Sequence, residues 1–201
     1  MIAIIDYDAG NIKSVEKAIL SLGEQVVITR DRDEILAADK VILPGVGAFG
    51  DAMKKIRNYG LEEVIHEVVN KGTPFLGICL GLQLLFECSE ECVGVKGLGL
   101  LKGKITKIPD YQGLKVPQIG WNSLKFPNKG RLFAGLEEDS YVYFVHSYYL
   151  QAEEPEIVVA TTEYATLIHA AVEKDNVFAC QFHPEKSSEV GLKIIENFIA
   201  L

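Results

Sequence analysis

Four short runs made almost entirely of apolar residues restrict the possible folds of this chain more than any other feature. They lie at residues 1–6, 26–29, 40–43 and 75–78. A strand with one face in water alternates apolar and polar residues, whereas a strand of a parallel sheet is covered on both faces and is apolar throughout. The first half of the chain therefore predicts an open, mainly parallel sheet.

Segments with helical periodicity separate these runs. Asn11 is expected to cap a helix that continues to about Leu22 and ends at Gly23. A further helix is predicted for residues 61–71, where Gly72 stops it. Alternation of strand and helix is typical of an α/β fold with helices on both faces of the sheet.

The second half of the chain contains shorter β-like runs, which Gly, Pro and Asn residues separate. These runs lie at residues 105–108, 141–145, 157–161, 166–172 and 177–182. We interpret them as antiparallel additions and hairpins, followed by a last helix that residues 187–188 cap. Without repeats or linkers, residues 1–201 are expected to form a single domain.

Charge and hydropathy exclude several classes of protein. The chain has 20 Lys and Arg against 28 Asp and Glu, a net charge of −8, so we expect no nucleic-acid partner. No segment approaches the roughly 20 apolar residues that span a bilayer. The first residues lack the features of a signal peptide, so we expect no membrane association and a cytoplasmic location.

Three of the four cysteines predict no chemistry. Cys88 and Cys92 resemble half of a metal site, but no second Cys/His pair follows at a suitable spacing, and we expect no metal. Cys180 lies in an apolar run and is interpreted as a small buried side chain.

The fourth cysteine, Cys79, lies in the strongest chemical motif. The sequence GICLG at residues 77–81 follows a buried strand and precedes an amphipathic stretch, as in a nucleophile elbow. Such a turn needs glycines beside the nucleophile, and the following helix N-terminus stabilises a thiolate. The structural alternative is a buried cysteine between two packing glycines.

A second motif, His183-Pro184-Glu185, follows the apolar run that ends near residue 182. In extended backbone, residues two apart point to the same side, so Glu185 is expected to bond the ring of His183 and fix its tautomer. His183 would then accept the proton of Cys79. A lone histidine is more often structural, as we expect for His66 and His169.

A glycine-rich turn, PGVG at residues 44–47, follows the run at residues 40–43. Its backbone N–H groups, with that of Leu80, are suited to an oxyanion hole. A phosphate loop is the alternative, but the required glycine and lysine pattern is missing and Asp51 would repel phosphate. A plain turn is the other alternative.

The ordered motifs PGVG, GICLGLQ and HPE resemble those of the class I glutamine amidotransferases, whose glutaminase domain has a Cys-His-Glu triad on an open α/β sheet. The sequences GWN at 120–122, YFVHSY at 143–148 and HPEKS at 183–187 narrow the resemblance. They are similar to the glutaminase subunits of imidazole glycerol phosphate synthase, an enzyme of histidine biosynthesis. The resemblance covers essentially the whole chain.

This resemblance implies roles for individual residues. Cys79 would be the nucleophile, His183 the base and Glu185 its orienter, while Val46 and Leu80 would supply the oxyanion N–H groups. The substrate-binding positions would be Gly47, Gln83, Ser147 and Tyr148. The positions at the partner contact would be Trp121, Asn122 and Lys186.

Two further positions are interpreted within the same resemblance. His146, beside the substrate pocket, is expected to be a packing residue rather than a second base. Gln118 departs from the family pattern, in which histidine is common, and we expect it to alter a contact at the partner interface.

The implied reaction converts glutamine and water to glutamate and ammonia through a γ-glutamyl thioester on Cys79, without metal or organic cofactor. Ammonia would pass to a separate (β/α)8-barrel cyclase in a heterodimer that makes imidazole glycerol phosphate and an aminoimidazole carboxamide ribotide. Because ammonia made without an acceptor wastes glutamine, we expect the isolated chain to be a poor glutaminase. Rotation of the Gly45–Val46 peptide, which glycine permits, is the expected switch.

Three alternatives remain at this point. A glutaminase subunit for anthranilate or pyridoxal phosphate synthesis should lack the GWN and HPEKS segments. A non-catalytic interaction module would not need all three triad residues. A self-sufficient cysteine hydrolase of γ-glutamyl peptides would act without a partner.

Overall fold

The computed structural model describes residues 1–201 as a ten-stranded sheet with helices on both faces and a separate two-stranded sheet. The helices are α1 (Ile12–Ser21), α2 (Arg32–Ala37), α3 (Phe49–Asn58), α4 (Leu61–Asn70), α5 (Leu80–Leu84) and α6 (Ser188–Ile199). The strands of the first half are β1 (Ile2–Ile5), β2 (Val26–Thr29), β3 (Lys40–Gly45) and β4 (Phe75–Cys79). Those of the second half are β5 (Cys88–Ser89), β6 (Gly103–Lys107), β7 (Gln118–Ser123), β8 (Tyr141–His146), β9 (Tyr148–Ala152), β10 (Val158–Tyr164), β11 (Thr166–Lys174) and β12 (Val177–Cys180).

The main sheet has the strand order β2-β1-β3-β4-β12-β11-β9-β6-β5, with β10 paired to β11. Strands β1, β2, β3, β4 and β12 are mutually parallel. Strands β6, β9, β10 and β11 extend the sheet through antiparallel pairs. The predicted mixed α/β sheet is therefore confirmed.

Two apolar cores cover the two faces of this sheet. Helix α1 buries Ile12, Val15 and Ile19, and α6 contributes to the same core. Helices α3 and α4 pack against the opposite face, where Leu61 and Ile65 show the one-turn spacing of a buried helical stripe. No helix of the structure combines the length and apolar character needed to cross a membrane.

Several predicted elements were wrong in extent or pairing. Residues 177–182 were taken as part of the antiparallel addition, and β12 does pair antiparallel with β11, but it ends at Cys180 and its other edge lies parallel to β4. Helices α2 and α3 and strands β7 and β9 were not predicted. Helix α2 has only six residues, and α3 begins after Ala48, which provides no side-chain cap. Short or uncapped elements carry too weak a local signal to be read from a single sequence.

Candidate active site

Cys79 ends β4 at a turn that is sterically closed on both sides. Its backbone has φ 55° and ψ −110°, an unfavourable region for a residue with a side chain. A β-carbon built on Gly81 would lie 1.9 Å from the carbonyl oxygen of Leu43, and one built on Gly77 would lie 2.8 Å from that of Gly81. The expectation that glycine is required on both sides of Cys79 is therefore confirmed.

Parallel pairing brings the three sequence motifs to one edge of the sheet. Strand β4 lies between β3 and β12, and Gly45 is in register with Cys79. The segments that follow the carboxyl ends of these strands contain Val46, Leu80 and His183. In an open α/β sheet this edge is where ligands bind.

His183 and Glu185 are hydrogen-bonded, with 2.8 Å between Nδ1 and Oε1. The contact was expected from an extended backbone, and that geometry was wrong. Residues Pro184–Lys186 form a 3-10 turn, which brings the carboxylate back under the ring. The Glu185 side chain has no exposed surface, so its charge depends on hydrogen bonds such as the one from His183 for stabilisation.

The charges around His183 favour its protonated form. Burial alone would lower the pKa of His183, but hydrogen bonds to Cys79 and Glu185, and the negative charges of both groups, raise it to about 9. The imidazole of His183 is thus placed to exchange a proton with Cys79.

Asn11 is a site residue that sequence reasoning placed wrongly. Its side chain makes no cap bond to α1, and its backbone is left-handed, with φ 70°. Instead, Nδ2 donates to Oε1 of Glu185 at 2.5 Å. Asparagine tolerates a left-handed backbone better than most residues. The sequence therefore indicated a turn at Asn11, but it did not reveal that the Asn11 side chain bonds Glu185.

A cavity of about 330 Å³ opens beside Cys79. Among its lining residues are those expected for catalysis, for the oxyanion hole and for substrate: Val46, Gly47, Cys79, Leu80, Gln83, Ser147, Tyr148 and His183. Lys186, expected at the partner contact, also lines it. Glu185 lies behind His183 rather than on the cavity wall. Trp121 and Asn122 lie outside it.

The glycine-rich turn at residues 44–47 is held from behind. The Tyr7 hydroxyl donates to the carbonyl oxygen of Pro44 at 2.8 Å. A β-carbon on Gly45 would lie 2.6 Å from that hydroxyl oxygen and 2.8 Å from Cβ of Leu80. The left-handed φ of 98° is at Gly47. Gly45 is thus required for close packing, whereas Gly47 supplies the unusual backbone angle.

Gln83 is buried at the cavity wall with its amide nitrogen already bonded. Nε2 donates to the carbonyl oxygen of Tyr148 at 3.1 Å and to Oε1 of Gln181 at 3.0 Å. Only its oxygen remains for a ligand. Nε2 of Gln181 in turn lies 3.8 Å from Sγ of Cys79. Gln181 was not recognised in the sequence, because it lies within an apolar run.

Glu91 is the other residue that the sequence did not reveal. Its Oε2 accepts the backbone N–H of Phe49 at 2.8 Å, and Glu91 lines the cavity. It is the only carboxylate on that wall. The acidic run around it looked like an ordinary exposed segment, and the bond to α3 is what turns it inward.

His146 is buried and neutral. Burial lowers its pKa to about 4, with a further decrease from the charge of His183, although the bond to the Tyr148 carbonyl opposes this. Oε1 of Gln118 lies 2.8 Å from Nε2 of His146. Gln118 is only 3% exposed, so it makes no surface contact of its own, and its expected effect on a partner contact stays a prediction. Its partner is an internal one.

The outer face of the two-stranded sheet is apolar. Ile119 and Trp121, two apart on β7, are 63% and 52% exposed. Trp121 packs edge-on against Tyr143 of β8, with 5.8 Å between ring centroids. Asn122 donates to the carbonyl oxygen of Glu163 at 2.9 Å, and Lys186 is exposed at the cavity mouth.

The remaining cysteines show no second reactive centre. Burial, followed by the charges of Glu185 and Cys79, raises the pKa of the Cys180 thiol. Cys88 and Cys92 are free thiols. No group of three or more His, Cys, Asp or Glu residues in the chain is arranged to hold a metal ion.

Comparison with known proteins agrees with this geometry. The family model described as glutamine amidotransferase class-I matches residues 3–201. The chain is 52% identical to imidazole glycerol phosphate synthase subunit HisH of Methanocaldococcus jannaschii, over the full length of both chains. It is also 52% identical to HisH of Moorella thermoacetica, over 98% of this chain and 93% of that one.

Solved structures show the same fold at lower sequence identity. A crystal structure of a glutamine amidotransferase superposes with a TM-score of 0.76 at 19% identity, covering 98% of this chain and 99% of that one. The structure of PurLQS from Thermotoga maritima gives 0.72 at 21% identity, covering 99% and 97%.

Fold, site and family model together define a class I glutamine amidotransferase. The chain belongs to this family and, within it, to the HisH glutaminase subunits of imidazole glycerol phosphate synthase in histidine biosynthesis. The resemblance drawn from the motifs is confirmed, and the alternatives of an anthranilate-type glutaminase and of a non-catalytic module are set aside.

Proposed function

We propose that Cys79, His183 and Glu185 hydrolyse glutamine through a γ-glutamyl thioester and that the ammonia passes to a (β/α)8-barrel cyclase. One observation carries this proposal. The elbow thiol and the bonded His183–Glu185 pair meet at one cavity, where the thiol helps to raise the pKa of His183 to about 9.

In the first half of the reaction, His183 takes the proton of Cys79 and the thiolate attacks the carboxamide carbon of glutamine. The N–H groups of Val46 and Leu80 stabilise the oxyanion of the tetrahedral intermediate. His183 then returns the proton to the leaving nitrogen, and ammonia departs as the thioester forms.

In the second half, His183 removes a proton from water, which attacks the thioester carbonyl. Collapse of the intermediate breaks the C–S bond and releases glutamate, and the thiolate again pairs with the imidazolium. Glu185 keeps the ring in the tautomer that leaves Nε2 toward the thiol. Neither step requires a metal or an organic cofactor.

Substrate recognition follows from the charges of glutamine. Its α-ammonium needs an anion, and Glu91 is the carboxylate that lines the cavity. The positions Gly47, Ser147 and Tyr148, on the same wall, are proposed to meet the α-carboxylate and the side chain. The free oxygen of Gln83 is a further acceptor for the α-ammonium.

The partner surface is proposed to be the exposed apolar face of β7 and β8. Ile119 and Trp121 would lose water there, and aromatic residues of this kind dominate binding energy in many interfaces. Asn122 and Lys186 lie beside that face, and Lys186 and Val46 also border the cavity. A partner on this surface would thus close the mouth through which ammonia leaves.

The cyclase would use the ammonia to make imidazole glycerol phosphate and an aminoimidazole carboxamide ribotide. A cytoplasmic heterodimer is part of the proposal. Partner binding would bias the Gly45–Val46 peptide toward the orientation that presents the Val46 N–H to the oxyanion. Loss of one such donor costs about 10²–10³ in rate, enough to switch the enzyme.

The test is to purify the chain with a candidate barrel cyclase and to measure glutamate release alone, with the cyclase, and with the cyclase and its ligand. We expect slow release alone and an increase of about 10²–10³-fold in the liganded complex. Equal rates in all three samples would instead indicate a self-sufficient hydrolase of γ-glutamyl substrates.

A further inference from the structure

Beside Cys79, buried polar groups form a continuous relay of hydrogen bonds, part of which lines the cavity wall. It joins Gln181, Gln83, the carbonyl oxygen of Tyr148, His146 and Gln118. The four side chains are at most 5% exposed, although glutamine is rarely buried unless each polar atom has a partner. This relay begins at the Cys79 thiol and ends at Gln118, the first residue of β7.

The link to the thiol is made by Gln181. This residue has no exposed surface, and its Nε2 lies 3.8 Å from Sγ of Cys79. Its Oε1 accepts from Nε2 of Gln83 at 3.0 Å, which fixes the amide with its N–H groups toward the sulfur. Such a donor bonds a thiolate more strongly than a thiol.

In the middle of the relay, two side chains bond the same carbonyl oxygen. The oxygen of Tyr148 accepts from Nε2 of Gln83 at 3.1 Å and lies 2.8 Å from Nδ1 of His146. A carbonyl oxygen only accepts, so Nδ1 must carry the proton. Oε1 of Gln118 lies 2.8 Å from Nε2. Because a neutral ring accepts at Nε2 and the O and N of an amide are assigned from the hydrogen-bond network, we assign Gln118 the flipped orientation, with its N–H toward Nε2.

The outer end of the relay lies directly beneath the apolar face of β7. Gln118 is in register with His146 of β8 and points inward. Its neighbour Ile119 and, two residues on, Trp121 point outward. A displacement of β7 by a bound partner would therefore move Gln118 and the groups bonded to it.

We propose that this buried relay sets the reactivity of Cys79, with Gln181 as a catalytic residue that donates to the thiolate and Gln83, His146 and Gln118 as positioning residues. The inference rests on the proposed function for the role of Cys79. Buried polar networks that are fully satisfied are rigid, since each lost bond leaves a desolvated group unpaired. The relay thus connects the outer strand β7 to the reacting sulfur.

The test measures alkylation of Cys79 by iodoacetamide as a function of pH, with peptide mass spectrometry to distinguish the cysteines. Exposed Cys88 is the internal reference in every sample. The variants are Gln181→Met, Gln118→Met and the double variant. Gln151→Met is the matched control, because Gln151 is exposed and its amide bonds only the Tyr149 hydroxyl.

Gln181→Met should slow alkylation of Cys79 about tenfold at neutral pH and displace its pH midpoint upward, because a charge-assisted bond is lost. Gln118→Met should slow it about threefold, as expected for a positioning effect passed through intermediate groups. The double variant should match Gln181→Met, since the relay is already broken at its inner end. Gln118→His should restore the wild-type profile, because histidine again bonds His146.

A wild-type pH profile for Gln181→Met overturns the contact with the thiolate. Equal alkylation rates in Gln118→Met and Gln151→Met would show that the relay does not reach Gln118 on β7. Additive losses of rate in the double variant would show the same. Alkylation needs neither glutamine nor a partner. Failure of the relay is therefore separate from failure of the proposed glutaminase mechanism, which would show as glutamate release by Cys79→Ala.

Discussion

Asn11 and Glu185, 174 positions apart in the chain, are joined by a hydrogen bond of 2.5 Å from the amide nitrogen to Oε1. The same oxygen accepts from Nδ1 of His183. The turn after β1 therefore holds the carboxylate that orients the histidine, and the first and last parts of the chain complete the site together.

We expect Asn11→Gly to lower kcat about tenfold with little change in KM, because a hydrogen bond to a buried carboxylate is lost. Glycine keeps the left-handed backbone that alanine would strain. Steady-state kinetics of the complex measures this. Asn128→Gly, which removes an amide bonded to the carbonyl oxygens of Pro155 and Val158, is the control. Unchanged kcat in Asn11→Gly contradicts the prediction.

The members of the triad should differ in importance. His183→Ala should lose about as much rate as Cys79→Ala, since the two groups act as a unit. Glu185→Gln should cost less, because the amide oxygen still accepts from the ring although its charge is lost. Rates of glutamate release rank the three variants. If Glu185→Gln proves worse than His183→Ala, the assigned roles are reversed.

Glu91→Gln should raise KM for glutamine with little effect on kcat. The substituted side chain still accepts the Phe49 N–H but loses the charge that would pair with the α-ammonium, a charged hydrogen bond of about 1.5–3 kcal/mol, or roughly 10–100-fold. Glu87→Gln is the matched control, because Glu87 accepts a backbone N–H from Gly103 outside the cavity. A KM equal to that of the control removes Glu91 from substrate binding.

His146 makes the protein less stable in acid. In the unfolded chain histidine takes up a proton near pH 6.5, whereas the folded state keeps His146 neutral to about pH 4. The unfolded state binds more protons in this window, so the free energy of unfolding falls as pH falls from 6.5 to 4, by up to about 3 kcal/mol. Urea denaturation at several pH values measures this dependence. The free energy of unfolding of His146→Gln should change less with pH than that of the wild type. The same pH dependence in both proteins excludes His146 as its source.

The local part of the site was predictable from the sequence, and the long-range part was not. The glycines at 77 and 81 and the pair His183 and Glu185 are close in sequence, so steric rules and spacing suffice. Asn11, Glu91 and Gln181 act through partners far along the chain. Whether each residue meets its partner depends on the order of the strands in the sheet, which the apolar runs alone do not determine.

The same limit explains the errors in the fold. Strand β12 looked like one more short run of the second half, yet it completes the parallel sheet beside β4. Gln118 lies in a segment whose resemblance suggested an effect on a partner contact, and the alternation of β7 turns its side chain inward. Burial of a polar side chain against a single internal partner leaves no periodic mark on the sequence.

The covalent intermediate on Cys79 is the most direct test of the mechanism. The chain, its cyclase and glutamine are mixed, quenched in acid and analysed by intact mass and peptide mapping, while glutamate is measured in parallel. We predict a γ-glutamyl adduct on the peptide that contains Cys79, and neither adduct nor glutamate with Cys79→Ala. Glutamate release by Cys79→Ala at the wild-type rate would contradict the mechanism.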